Sequence, residues 1–309
     1  MTLTTPKNIP ENPSQILTLP GAFGNFPVEL EVFPINNNPQ VLVNLHGTFG
    51  SRRGGDGNYA RLAESIQDES LANVVLYGSS RKPSEAQGKL SYDEKQKLFE
   101  GKTFEQEVED ARNILKHIVT NSNTLFGVDA EKLEITLQGN SLGGILAFYV
   151  ASEFPQIKNI VTIGTGLRTE KGAIPILDTF PLKEELLAKL GQFQGNYYMA
   201  YGTNDAVFSQ EAFDALYQGV TASRQKGFGK FLGVDHSFSG VDGVENSQPY
   251  GQVIENTKAL FEKGTIPTTE FSFVVPQVGG KIQDTNSSVQ ALMGKPGFQV
   301  ADTWEDIGL

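Results

Sequence analysis

The chain has 309 residues, 39% of them hydrophobic and 20% charged, with a formal net charge of −11. This is the balance of an ordinary soluble globular protein, and the acidic excess argues against nucleic acid or anionic lipid as a partner. There is no cysteine, which excludes disulfides, thiolate metal sites and a cysteine nucleophile.

The N-terminal "MTLTTPKNIPENPSQ" has no basic start followed by an apolar core, so no signal peptide is visible. No apolar run is long enough to span a bilayer, and the default expectation is a cytoplasmic protein. Residues 1–15 read as a polar lead-in. "ILTL" (16–19) and "VELEVFPI" (28–35) read as two strands, with a glycine turn between them. Five apolar, β-rich runs follow: Gln40–Leu45, Asn73–Gly78, Leu133–Gly139, Asn159–Gly164 and Asn196–Gly202, with a weaker sixth at Gly229–Val234. They do not alternate strictly, which suits strands buried on both faces of a parallel sheet.

Helical patterns fill the gaps. "NYARLAESIQDES" is expected to open with Asn58 as its cap. "TFEQEVEDARNILKHIVTNS" opens with Thr103 and carries Phe104, Val108, Ala111, Leu115 and Ile118 on one stripe. "GGILAFYVASEF" follows Ser141, "SQEAFDALYQGV" opens with Ser209, and "YGQVIENTKALFEKG" stops at Gly264. Ser79–Lys102 reads as a long polar loop, and the segment Thr165–Gly195 as an insertion holding the short amphipathic helix "PLKEELLAKL". Alternating strand and helix predicts an α/β layer fold, whose ligands bind beyond the carboxyl ends of the strands.

One such end carries chemistry. In "EITLQGNSLGGILAFYV" a strand runs into a helix through Gly139-Asn140-Ser141-Leu142-Gly143. A serine hydroxyl is a nucleophile only when exposed and set beside a base. A sharp strand-to-helix turn exposes it, and the glycines two residues either side remove side chains where the backbones crowd. A bare tight turn is the competing explanation, and the rest of the chain decides between them.

Of the three histidines, His117 lies mid-helix and His46 precedes the serine in "NLHGTFG". Only His236, in "GVDHSFSG", follows both the serine and the last strand. It is the expected base. An acid should lie between them at a strand end. Glu153, Glu170, Asp178, Glu184, Glu185, Glu211 and Asp214 fall on helices or in the insertion, and Asp235 adjoins the histidine. Asp205, in the loop "GTNDAVFS", is favoured. Two backbone donors are needed for an oxyanion. Leu142 N–H is one. The other belongs to the loop His46-Gly47-Thr48, with Thr48 the choice and Phe49 the alternative; His46 itself is expected to be structural.

With these motifs in place, the chain from about Ile16 to Gly264 resembles the α/β-hydrolase superfamily. The resemblance implies an eight-stranded, mostly parallel sheet with an antiparallel second strand, flanked by helices. It also implies no cofactor or metal, and an acyl-enzyme on Ser141 with His236 as base and Asp205 as acid. "GVDAEKLEITLQGNSLGG" resembles the serine approach of esterase and dienelactone-hydrolase-like members. Gly-Asn-Ser-Leu-Gly-Gly also resembles the elbow of carbon–carbon bond hydrolases, but their Gly-Pro-Gly loop and longer cap are missing here.

The expected organisation is a catalytic domain over 1–264, a cap insertion at about 165–195, and a tail over 265–309 of unassigned role that holds Trp304. Phe49, Phe208 and Phe238 are expected to touch substrate, and Ile174, Ile176, Leu177, Phe180, Leu186, Leu187 and Leu190 to form an apolar wall. Arg52, Arg53, Arg81 and Lys82 stand where an anionic substrate could be held. The expected substrate is a small ester with an apolar acyl or aryl group. Two rival classes are another bond cleaved by the same triad (lactone, amide, acyl transfer or carbon–carbon) and a catalytically silent binding protein.

Overall fold

The computed structural model describes residues 14–54, 57–84, 90–167, 174–266 and 268–273. The lead-in up to 13, Glu170 and the tail from 274 onward, with Trp304, lie outside the described residues. In chain order the elements are β1 (Gln15–Pro20), β2 (Pro27–Phe33), β3 (Gln40–Leu45), α1 (Asn58–Asp68), β4 (Asn73–Gly78), α2 (Tyr92–Leu98), α3 (Phe104–Thr120), α4 (Ser122–Phe126), β5 (Glu134–Asn140) and α5 (Leu142–Ala151). They continue with β6 (Ile157–Ile163), α6 (Pro175–Asp178), α7 (Lys183–Gln192), β7 (Asn196–Gly202), α8 (Gln210–Gly219), β8 (Gln225–Phe231), β9 (Gly240–Val241), β10 (Val244–Glu245), α9 (Gln248–Lys263) and β11 (Thr269–Phe271).

The main sheet runs β1-β2-β4-β3-β5-β6-β7-β8-β11. Only β2 opposes its neighbours; the other pairings are parallel. The described sheet therefore has nine strands, not the expected eight. The ninth, β11, comes from the segment after Gly264 and pairs in parallel with β8, extended by Leu232 N–H donating to Phe271 O. Three residues at a sheet edge are too few to show a period, so composition alone read them as tail.

β3, β4 and β5 are buried almost throughout, as parallel strands covered on both faces must be. One face packs against α3, α5, α7 and α8, the other against α1 and α9. Alternate residues divide cleanly between the two: Val41, Val43 and Leu45 face the first layer, Leu42 the second. All ten residues of α5 are buried, which explains why its sequence is apolar all round rather than striped.

The caps fall largely where side-chain chemistry puts them. Thr103 opens α3 with a reciprocal capping box to Gln106, Ser209 opens α8, and Gly264 at φ 71° closes α9. At α1 the cap is Gly57 at φ 71°, and Asn58 is already helical, its carboxamide engaged by Arg61. The expected loop 79–102 contains α2, opened by a Ser91–Glu94 capping box.

The chain leaves β3 toward α1 on one face and β5 toward α5 on the other. That divergence opens a crevice at the carboxyl ends of two adjacent strands, the usual ligand position in open α/β sheets.

Candidate active site

Ser141 sits at the tip of that crevice, between β5 and α5, with φ 52° and ψ −117°. These are the angles of the first central residue of a type II′ turn, a position that residues with a Cβ avoid. The turn is held by Ser141 N–H donating to Ile163 O (2.8 Å) and by Thr165 Oγ1 donating to Ser141 O (2.9 Å). Close approach explains both elbow glycines. A Cβ on Gly139 would lie 2.3 Å from the Gly143 carbonyl, and one on Gly143 would lie 2.3 Å from Leu45 O. Both obstacles are backbone and have no side chain to swing aside.

His236 follows β8, and its Nδ1 lies 2.8 Å from Asp205 Oδ2. Asp205 is fixed in turn, because its Oδ1 accepts the backbone N–H groups of Val207 (2.7 Å) and Phe208 (3.0 Å). The two loops are sewn together by Thr203 N–H to Phe231 O and Asn204 N–H to Val234 O. With Nδ1–H directed at Asp205, Nε2 is the basic nitrogen. Burial alone would lower the His236 pKa; the Asp205 charge and hydrogen bond, helped by Asp235, outweigh it and raise the pKa above the ordinary histidine value. The imidazole lies over Gly164, where an added Cβ would be 3.4 Å from Nδ1, and Gly164 adjoins the Ile163 carbonyl that holds Ser141. Among the described residues the Ser141 hydroxyl carries no hydrogen bond.

The loop after β3 lies against the serine from the other side. A Cβ on Gly47 would be 3.2 Å from Ser141 Cβ. Among the described residues, neither the Thr48 nor the Leu142 N–H donates to a protein acceptor. Leu142 is the first residue of α5, so its free N–H and the positive end of that helix meet at the serine. His46 is 1% exposed and bonded within the protein, with Nδ1 2.8 Å from Gly47 O and Nε2 accepting Ser79 N–H (3.1 Å). Burial pushes its pKa down to about 4.

The aromatic expectations divide. Phe208 lies beside His236, ring centroids 5.8 Å apart. Phe49 packs on Phe99 and lines a groove of about 330 Å³ with Phe99, Ile174, Pro175 and Ile176, rimmed by Asp93, Gln96, Lys97 and Glu100 of the α2 region. Phe238 is different. It is fully buried against Phe231 (5.0 Å) in the layer below α9, with no exposed surface to offer a substrate, so the expectation that it touches substrate is corrected. Adjacency in sequence to His236 misled, because Phe238 takes φ 58° and its side chain turns into the core.

Of the insertion's expected wall, Ile176, Leu177, Phe180, Leu186 and Leu190 are buried in the main core, and Ile174 and Ile176 face the groove. Arg52 and Arg53 are engaged by Glu29 and Glu31, and Lys82 by Glu100. Arg81 donates to Gly50 O and lies over the Phe99 ring. Sequence reasoning missed α2 as a groove wall, although its capping box was a usable signal. It also missed Thr165, which nothing local marks.

No protein-family model matches the chain, and no curated protein matches it. Solved structures do. An esterase of Pyrobaculum calidifontis superposes with a TM-score of 0.57 at 17% identity, over 84% of this chain and 88% of the other. A dienelactone hydrolase from Anabaena variabilis gives 0.55 at 14%, over 81% and 97%. An esterase of Pyrococcus furiosus gives 0.56 at 16%, over 82% and 91%. At such identities the likeness is one of fold.

Proposed function

Starting from an α/β-hydrolase fold, we propose that this chain is a serine hydrolase that cleaves carboxylic esters through an acyl-enzyme on Ser141. The carrying observation is the Asp205–His236 pair at 2.8 Å, set over the loop that holds Ser141 in a type II′ conformation. His236 Nε2 takes the hydroxyl proton as Ser141 Oγ attacks the carbonyl carbon. The carbonyl oxygen becomes an oxyanion between the N–H groups of Leu142 and Thr48. The C–O bond to the leaving group breaks, and His236 returns the proton to the departing alkoxide. Water then attacks the acyl-enzyme, again losing a proton to His236, and the acid leaves with Ser141 restored.

The apolar floor of the groove beside Phe49 suits an acyl or aryl group, with the catalytic unit spanning the sheet and its cap insertion. The neighbour from Anabaena variabilis, described as a dienelactone hydrolase, supports lactones as a second substrate class. The test is hydrolysis of p-nitrophenyl esters from acetate to palmitate beside the same series with an aryl lactone. Turnover falling by more than about 10³-fold in Ser141→Ala is expected. Equal turnover in parent and variant removes Ser141 as nucleophile.

A further inference from the structure

Beneath the loop after β3 lies a group of charges that the mechanism above does not use. Lys102, Glu107 and Asp110 have side chains no more than 1% exposed. Lys102 Nζ donates to Glu107 Oε2 (2.9 Å), Asp110 Oδ2 (2.7 Å) and Ser80 O (2.7 Å), using all three of its protons. Glu107 accepts Ser79 Oγ (3.1 Å) and Tyr77 OH (3.2 Å). Asp110 accepts Ser80 N–H (2.9 Å) and Ala22 N–H (2.7 Å). Desolvating three charges is costly, and apolar residues of similar volume could hold a core equally well. Directional bonds are what charges add, and one branch of these leads to the candidate site.

That branch runs through Ser79. Its hydroxyl is fixed by Glu107, and its backbone N–H donates to His46 Nε2 at 3.1 Å. A backbone N–H can only donate, so Nε2 is the acceptor and the proton sits on Nδ1, aimed at Gly47 O at 2.8 Å. The ring is flanked by Tyr77, stacked at 5.1 Å and 8°, whose hydroxyl is held by the same Glu107. Gly47 O also accepts Gly50 N–H (2.9 Å), and Gly50 O accepts Arg81 (3.1 Å). Thr48 is thus suspended between two pinned carbonyls.

We propose that His46 is a positioning residue for the oxyanion donor at Thr48, its tautomer and ring plane set by the buried Lys102–Glu107–Asp110 group through Ser79. This rests on the ester-hydrolase function proposed above. A donor displaced by about 1 Å can cost on the order of 10²-fold in rate. The loss should appear only where negative charge develops on the carbonyl oxygen.

The experiment measures kcat, KM and the inhibition constant of an alkylboronic acid, which forms a tetrahedral adduct on a serine, in the full-length parent and in His46→Ala, His46→Asn and Ser79→Ala. His46→Ala should lose about 10- to 100-fold in kcat with KM changed less than about threefold. Its boronate affinity should fall by the same factor as kcat. His46→Asn, which restores a donor near the Nδ1 position, should recover a large part of both. A cooperatively folded His46→Ala with parental kcat and boronate affinity overturns the proposal. If His46→Ala does not fold, Ser79→Ala decides: a fall of about three- to tenfold in both quantities supports the link, and parental values overturn it. A parent that neither hydrolyses esters nor binds the boronate removes the ester-hydrolase function and this inference with it, whereas an active parent with unaffected variants removes this inference alone.

Discussion

Replacing Ser141 by glycine and, separately, by alanine measures the strain held in the elbow. Both variants lack the hydroxyl, which has no hydrogen bond among the described residues, so losing it costs the same in each. They differ in the Cβ, which sits at φ 52° and ψ −117° in the alanine variant. A residue held in such a region stores about 1–3 kcal/mol. Glycine relieves it but gives back about 0.5–1 kcal/mol through the larger freedom of its unfolded chain. The net advantage of Ser141→Gly over Ser141→Ala is about 1 kcal/mol, or about 1.5 °C in Tm for a chain of this size. Calorimetric melting of the two variants in one buffer reads it directly. Ser152 is the internal control, since it is exposed, at the end of α5, with φ −71° and ψ −14°. There the alanine variant should be the more stable by about 0.5–1 kcal/mol. If Ser141→Gly melts no higher than Ser141→Ala while Ser152 behaves as stated, the elbow is not strained and the stored-energy account is wrong.

The raised pKa of His236 places the acid limb of kcat/KM above the ordinary histidine value of about 6.5, and Asp205→Asn should move that limb to lower pH while lowering the plateau. The same shift has a stability sign: the Asp205–His236 contact contributes fully below about pH 6.5 and its contribution is lost as pH rises through the folded pKa, so urea midpoints of parent and Asp205→Asn should converge above it. Gly143→Ala forces a Cβ to within 2.3 Å of Leu45 O and should cost at least about 3 kcal/mol or abolish folding, whereas Gly251→Ala in α9, with nothing within 4 Å, should gain about 0.5–1 kcal/mol by thermal melting. Lys102→Met leaves two buried carboxylates without their cation and should cost about 3–5 kcal/mol in denaturant titration, an expectation that a parental midpoint would contradict.

The parts of the candidate site that were legible in the sequence are those where chemistry restricts residue type. Glycines two residues either side of Ser141 are demanded by backbone contact, so spacing revealed them. His236 stood out because histidine is rare here and the others were placed elsewhere, and Asp205 because it lies in a loop between a strand and a helix cap. What stayed hidden depends on where a side chain turns after the backbone is set. Phe238 and Phe208 lie at similar distances in sequence from site residues, yet one points into the core and the other toward the imidazole. Lys102, Glu107 and Asp110 also stayed hidden, because a buried lysine differs from an exposed one only by partners that sequence does not show. Glu107 and Asp110 interleave with the apolar stripe of α3, the one available hint. β11 was invisible because three edge residues carry no pattern.

Phe231, at the end of β8, touches Phe238 of the histidine loop on one side and Phe271 and Phe273 on the other. Translation delivers these parts in a fixed order. The Ser141 turn, the loop after β3 and the charges beneath it are all made within the first half of the chain, and β3, β4 and β5 can pair as soon as they emerge. The support behind His236 arrives only with residues 269–273, more than thirty positions after the histidine itself. A nascent chain still threaded through the ribosomal tunnel therefore holds the shaped turn at Ser141 well before the imidazole of His236 is braced, and β11 is the latest of the described strands on which that bracing waits.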